Sequence, residues 1–350
     1  MKALVTIVVI CFSAGYVSAE YSTGFMFGME IDSSSNMLMR PEGLPGSISS
    51  MYGGAVVSTG TTRIKYGVDA GMLSRYKKVQ FHYHNLELSH NLITKKNILL
   101  STVADYSISR YGDVTVLSGY NQYGIRTQVK AYLAPTLLLR SEAQFRRRTY
   151  RTYTVENNNQ TEFFLRLDKF FNTGTTVRGQ IDAGTRHYGE QLTSPHIETV
   201  AFSARIAQSI GPRCGMWIEA YDRLLYNSID DSTQVSSEFD RVFLDDKYKY
   251  SSHGLTYHMT YLVSRKGVIH YETSIEKKQY EDLISSSYEY LPPGGWKEWE
   301  WDVVFAIEYK SSLYPSFIHP RLEVFYKSVD ATLSSLSFDT FGTVMRFELY

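Results

Sequence analysis

Residues 302–310 read DVVFAIEYK, and the apolar positions recur at every second residue. Together with Trp301, the side chains of Val303, Phe305, Ile307 and Tyr309 fall on one side of an extended chain, and Asp302, Glu308 and Lys310 fall on the other. A period of two is the signature of a strand with two different environments on its faces. Over 137–148 the same period sets Leu139, Ala143 and Phe145 against Arg140, Glu142, Gln144, Arg146 and Arg148. A strand this charged on one side and this apolar on the other suits a wall between hydrocarbon and a wet interior. A soluble sandwich would alternate in the same way, with the charged face toward bulk water.

Connection lengths separate the two. Short, turn-like breaks fall at Gly60-Thr61, Lys95-Lys96, Ala134-Pro135, Asn172 to Gly174, Gly211-Pro212, Lys266-Gly267 and Leu313 to Ser316. Longer polar stretches lie between them, at 34–47, 74–83, 110–122, 150–158, 227–246 and 281–297. The expected strands are 21–33, 48–59, 61–73, 84–94, 97–109, 123–133, 136–149, 159–171, 175–188, 196–209, 213–226, 248–264, 268–280, 298–311, 319–330 and 338–350. They make an all-β, antiparallel transmembrane β-barrel of about 16 strands, with 14 to 18 compatible with the pattern. Short turns are expected on the periplasmic side and longer loops on the extracellular side, with the acidic segment 227–246 either folding inward as a constriction or staying outside as an adhesive loop. No fixed-period repeat is present to suggest a propeller.

Composition adds a compartment. Residues 1–19, MKALVTIVVICFSAGYVSA, place Lys2 before an apolar run and end on small residues, which predicts a signal peptide cleaved after Ala19. The run is about half the ~20 apolar residues a membrane-spanning helix needs. Cys11 lies inside it without a small residue before it, so lipidation is not expected. Removing 19 of 350 residues leaves 331, expected to form a single barrel domain over 20–350, with Cys214 as its one cysteine and hence no internal disulfide. Strand character starts within a few residues of Ala19, so no preceding plug is expected. The 36 basic and 36 acidic residues balance, removing the electrostatic footprint of a nucleic-acid binder. The 28 tyrosines are many, and aromatic girdles mark the two interfaces of a membrane barrel.

The last segment, FDTFGTVMRFELY, alternates Phe341, Thr343, Met345, Phe347 and Leu349 against Gly342, Val344, Arg346 and Glu348, and stops on Tyr350. It resembles the C-terminal strand of bacterial outer-membrane β-barrel proteins, which ends on an aromatic residue. The resemblance is to the class and implies outer-membrane lipid as surroundings and the barrel-insertion machinery as a partner. Tyr350 departs from the usual pattern by falling on the other parity from Phe347 and Leu349. Closure of 338–350 against 21–33 is expected, with Phe341, Met345 and Phe347 facing lipid.

Candidate chemistry follows from the polar faces. Arg140, Glu142, Arg146, Arg148, Arg166, Asp168, Arg178, Asp182, Arg186, Glu272 and Glu276 are expected to line a lumen, where they either pair with one another or impose a field on solutes. Their basic excess over 140–186 points to a mildly anion-favouring wall. Pro292-Pro293-Gly294-Gly295 leads into Trp296, Trp299 and Trp301, read with Tyr309 and Tyr350 as membrane-interface aromatics. His82 and His84 share a face with His90 nearby, but no third ligand at sensible spacing makes a metal site. His258 and His270 are expected to approach one another inside the barrel near Glu272, with no motif that singles out a nucleophile. No metal, cofactor or catalytic residue is therefore assigned. The expected function is a porin-like channel for passive passage of small solutes. A non-conducting structural or surface-interaction barrel of an envelope or secretion system is the alternative, and an outer-membrane hydrolase a third reading. Solute selectivity and oligomeric state have no signature in the chain.

Overall fold

The computed structural model describes residues 21–34, 46–73, 80–95, 97–111, 119–151, 157–188, 196–227, 250–280, 296–309, 318–331 and 337–349. The leader expected over 1–19, most of the acidic segment 227–246, and Tyr350 lie outside them. The described residues form sixteen strands: β1 (Tyr21–Ser34), β2 (Gly46–Thr59), β3 (Thr62–Leu73), β4 (Gln80–Lys95), β5 (Ile98–Tyr111), β6 (Tyr120–Ala134), β7 (Leu137–Tyr150), β8 (Asn158–Phe170), β9 (Thr175–Tyr188), β10 (His196–Ile210), β11 (Cys214–Asn227), β12 (Tyr250–Leu262), β13 (Gly267–Tyr280), β14 (Trp296–Tyr309), β15 (Ile318–Ala331) and β16 (Phe338–Leu349). Each pairs antiparallel with its sequence neighbours, and β1 pairs β16 to close the barrel. The closing register runs from Phe27 opposite Leu349 to Ser34 opposite Gly342. Closure gives β1 and β16 a partner on both sides over that register, which a sheet in hydrocarbon requires because no water is there to bond an open edge.

The burial pattern is inverted relative to a soluble protein. Large apolar side chains such as Ile125, Phe145, Phe202, Ile206, Phe305, Phe341 and Met345 are exposed, whereas Asp168, Lys278 and Glu298 are buried at 1 %, 5 % and 4 % exposure. Apolar groups facing out and charged groups facing in is the arrangement lipid selects. The exposed face carries Trp299, Trp301 and Tyr309, while Trp296 opens β14.

Several strands run further than the sequence pattern suggests. β4 begins at Gln80 and takes in the FHYHN segment, and β5 and β6 extend to Tyr111 and back to Tyr120. A 14-residue strand such as β5 is about 46 Å long at about 3.3 Å per residue, more than a tilted crossing of a ~25 Å apolar band needs. The polar ends therefore stand clear of hydrocarbon, still hydrogen-bonded as strand. Connections at one rim are 60–61, 96–97, 135–136, 171–174, 211–213, 263–266 and 310–317, and the longer ones lie at the other. The break expected at 313–316 lies outside the described residues. Gly174 and Gly211 hold φ of 75° and 66° in two of the short turns, a region L-residues resist.

One packing detail fixes an inner side chain. The Tyr221 ring lies over Gly254 of β12, where an added Cβ would meet ring atoms at 2.2–2.4 Å, while the Tyr221 hydroxyl bonds Glu276. Gly254→Ala is expected to displace the ring and cost about 1–3 kcal/mol, read as a lower urea midpoint of the folded barrel. An unchanged midpoint would show that the ring has room to move.

Candidate functional site: the charged inner wall

Alternation carries all eleven residues expected in the lumen onto the inner face: Arg140, Glu142, Arg146 and Arg148 on β7, Arg166 and Asp168 on β8, Arg178, Asp182 and Arg186 on β9, and Glu272 and Glu276 on β13. The register then decides who meets whom. Asp168 sits opposite Arg178 and one position from the row of Arg140, and accepts from Arg178 Nε at 2.7 Å, with Arg140 Nε at 3.6 Å. Arg166, one rung away, donates to Gln180 at 2.6 Å, and Gln180 donates to Asp182 at 2.7 Å. Gln128 donates to Glu142 at 3.0 Å, and Arg148 donates to Gln122 at 2.8 Å while stacking on Tyr120.

Around this core the wall is basic from β6 to β11, adding Arg126, Lys130, Arg205 and Arg223. The acids are concentrated elsewhere. β13 and β14 present Glu272, Glu276, Glu298, Glu300, Asp302 and Glu308 on the inner alternation. Lys278 lies 3.5 Å from Glu300 and 3.9 Å from Glu276, and Lys327 of β15 pairs with Glu300 and stands 3.9 Å from Asp302. In the ring, β14 is eight strands from β6 and seven from β7. The acidic strands therefore lie beyond one end of the basic arc, separated from it by β12, and face its other end, β6 and β7, across the ring, so the field inside the barrel is uneven round its circumference. A pocket of ≈ 320 Å³ opens on the basic arc, lined by Glu142, Glu162, Phe164, Asp182, Thr199 and Arg223.

Toward the short-turn rim the two arcs are bridged by a stack. The Arg205 guanidinium pairs with Glu219 and lies 3.9 Å over the Trp217 ring, and Trp217 stacks on His258 at 5.2 Å and 12°. His258 is 6.1 Å from His270, whose Nε2 is 3.6 Å from Glu308. The two histidines thus meet inside the barrel. Neither has a serine in hydrogen-bond contact among the described residues; Thr260 is 3.4 Å from His270.

Some wall residues are easily missed in the sequence. Glu298 and Glu300 share the alternation of Asp302, yet WKEWEW invites an aromatic-anchor reading that hides them. Arg205 stands alone among small and apolar residues in FSARIAQ, and its role follows only from Glu219 and Trp217 across the ladder. The outer histidines converge in part: the His82 and His84 rings meet edge to face at 5.6 Å and His84 Nδ1 meets the Tyr66 hydroxyl at 2.7 Å, while His90, six residues on from His84, meets Thr62 at 2.9 Å.

The closed sixteen-strand ring, apolar outside and charged inside, has the fold of outer-membrane β-barrel proteins. Solved structures of that class resemble it over nearly their whole lengths. OpdO of Pseudomonas aeruginosa matches at TM-score 0.53 and 9 % identity, covering 94 % of this chain and 96 % of that one. A bacterial polysaccharide outer-membrane secretin matches at 0.56 and 8 %, covering 93 % and 97 %. A loop L8 deletion mutant of OmpT, an outer membrane protein of Vibrio cholerae, matches at 0.52 and 10 %, covering 94 % and 99 %. At these identities the likeness is one of fold. No family model matches the chain, and no curated protein matches it in sequence.

Proposed function

We propose that the chain is a porin-like channel through which small polar solutes pass passively, drawn along the inner wall between the basic and acidic arcs. The observation that carries this reading is an inner charge that is uneven round the ring: Arg126 and Arg146 face the interior with no side-chain partner among the described residues, whereas on β13 and β14 the carboxylates outnumber Lys278. Charge needed only to fill an interior is best placed in adjacent neutral pairs, because an unpaired buried ion is costly. Asp168 and Glu219 offset part of the basic excess within the arc, and the guanidiniums left over are tolerable where water and solute lie beside them. Barrels of about 16 strands are wide enough for an aqueous channel. Because the basic arc is the longer one, the channel is expected to favour anions mildly.

Purified, refolded protein inserted into planar lipid bilayers tests this directly. Stepwise ohmic conductance is expected, with chloride favoured over potassium in a salt gradient. Protein that inserts as a folded barrel yet carries no current would sink the channel reading and leave a contact-forming barrel in its place.

A further inference from the structure

The cavity on the inner wall is built differently from the basic surface around it, and the channel reading uses no part of it. Phe164 of β8 lines it, opposite Glu142 of β7 on one side and Asp182 of β9 on the other, with the Arg166 guanidinium 5.3 Å over its ring. Glu162, two residues from Phe164 on the same face, stands opposite Gly184 of β9. The lining continues through Thr199 and Ala201 of β10, opposite Gly184 and Asp182, to Arg223 of β11, opposite Ala201. The recess lies where the side chains are short: a Cβ added at Gly184 would stand 3.6 Å from Glu162 Cγ and 3.9 Å from Thr199 Oγ1. Small residues in the middle thus leave three carboxylates at one end and a guanidinium at the other.

The charges at both ends are held in place without being neutralised. Glu142 accepts from Gln128 at 3.0 Å, Glu162 from Gln160 at 2.6 Å, and the two oxygens of Asp182 from Gln180 at 2.7 and 2.9 Å. An amide N–H orients a carboxylate but brings no opposite charge. None of the three is in ion-pair contact with a basic side chain among the described residues. Arg223 meets the Tyr250 hydroxyl at 3.5 Å and the Tyr221 ring at 5.8 Å, and has no carboxylate in ion-pair contact among them. Elsewhere on this wall crowded charges pair directly, as Asp168 does with Arg178 and Glu219 with Arg205. Oriented, half-buried charges of opposite sign at the two ends of one cavity leave the counter-charges to a ligand. A simple cation would leave Arg223 unmatched, and a simple anion would leave the carboxylates so. The main chains of β9 and β11 lie two strand spacings apart, about 10 Å, a gap that about three extended residues span at ~3.3–3.6 Å each. The volume of ≈ 320 Å³ suits a ligand of that size.

We infer that this recess binds a short peptide with both ends free, its ammonium among Glu142, Glu162 and Asp182 and its carboxylate on Arg223. The inference deepens the channel reading by naming a solute class that the inner wall selects, and it rests on that reading for the passage of the solute.

Isothermal titration of the purified barrel in detergent tests the site without requiring a current, with trialanine, N-acetyl-trialanine and trialanine amide as probes. Trialanine is expected to bind, and blocking either end to weaken binding about tenfold, the worth of one hydrogen-bonded charge. Arg223→Gln should weaken trialanine about tenfold and leave the amide unchanged, so that the two then bind alike. Glu142→Gln with Glu162→Gln and Asp182→Asn should erase the difference between trialanine and its N-acetyl form in the same way. Glu87→Gln, three strands from β7 on the row of Arg146, should change nothing, and heat-shifted gel mobility confirms that each variant is a folded barrel. Wild-type binding that ignores both blocking groups, variants that keep full discrimination, or no binding of trialanine at millimolar concentration overturns the proposal. Conductance is read separately: binding without current keeps the site and removes the channel, and current without binding removes the site alone.

Discussion

Replacing Asp168 by alanine is expected to destabilise the folded barrel by about 3 kcal/mol, the cost of leaving buried charges without their counter-ion. Asp168 is 1 % exposed and stands between Arg178 at 2.7 Å and Arg140 at 3.6 Å. Arg166, in turn, has Arg140, Arg178 and Arg205 as its like-charged neighbours and Asp168 as its opposing one. One carboxylate therefore neutralises the densest part of the basic arc, and without it four guanidiniums repel across adjacent strands. The arginines are partly hydrated, which holds the loss near the lower end of the range for a broken buried pair. Asp168→Asn keeps one acceptor for Arg178 and should cost less. Equilibrium unfolding in urea, followed by tryptophan fluorescence in detergent micelles, gives both values. A loss below about 0.5 kcal/mol for the alanine variant would mean that the cluster behaves as a solvated surface pair.

Reversing charge on the basic arc should reverse ion preference. Arg126 and Arg146 face the interior from β6 and β7 with no side-chain partner among the described residues, so their substitution leaves the Asp168 cluster intact. A unit charge acts on a passing ion at ~8 Å through water with about 0.5 kcal/mol. Changing arginine to glutamate moves two units, about 1 kcal/mol and so about fivefold per position before screening. With a Debye length of about 10 Å in 0.1 M salt, Arg126→Glu with Arg146→Glu is expected to lower the chloride-to-potassium permeability ratio about tenfold. The zero-current potential across a potassium chloride gradient measures it, and it should change sign. An unchanged potential would place the current outside this interior and remove the inner wall as the conduction path.

The sequence by itself determined what repeats locally. Period-two alternation is a property of each strand alone, so the sixteen segments, their apolar faces and the inward set from Arg140 to Glu276 were legible without any knowledge of partners. Turn chemistry added the hairpins, because Gly174 and Gly211 mark places where only a left-handed residue fits comfortably. Strand ends were less legible. Polar segments such as FHYHN look like loop in the sequence, and only pairing with β3 and β5 makes them strand above the lipid.

What the tertiary structure alone decided is everything set by register between distant segments. That Arg178 reaches Asp168, that Trp217 lies between Arg205 and His258, and that Glu300 gathers Lys278 and Lys327 depend on which residue stands opposite which. Alternation assigns a face but carries no information about the partner across the ladder. Closure of β1 on β16 then turns a list of charged faces into one inner wall, basic from β6 to β11 and acidic on β13 and β14. An uneven field inside the barrel is a property of the closed ring, and no single strand contains it.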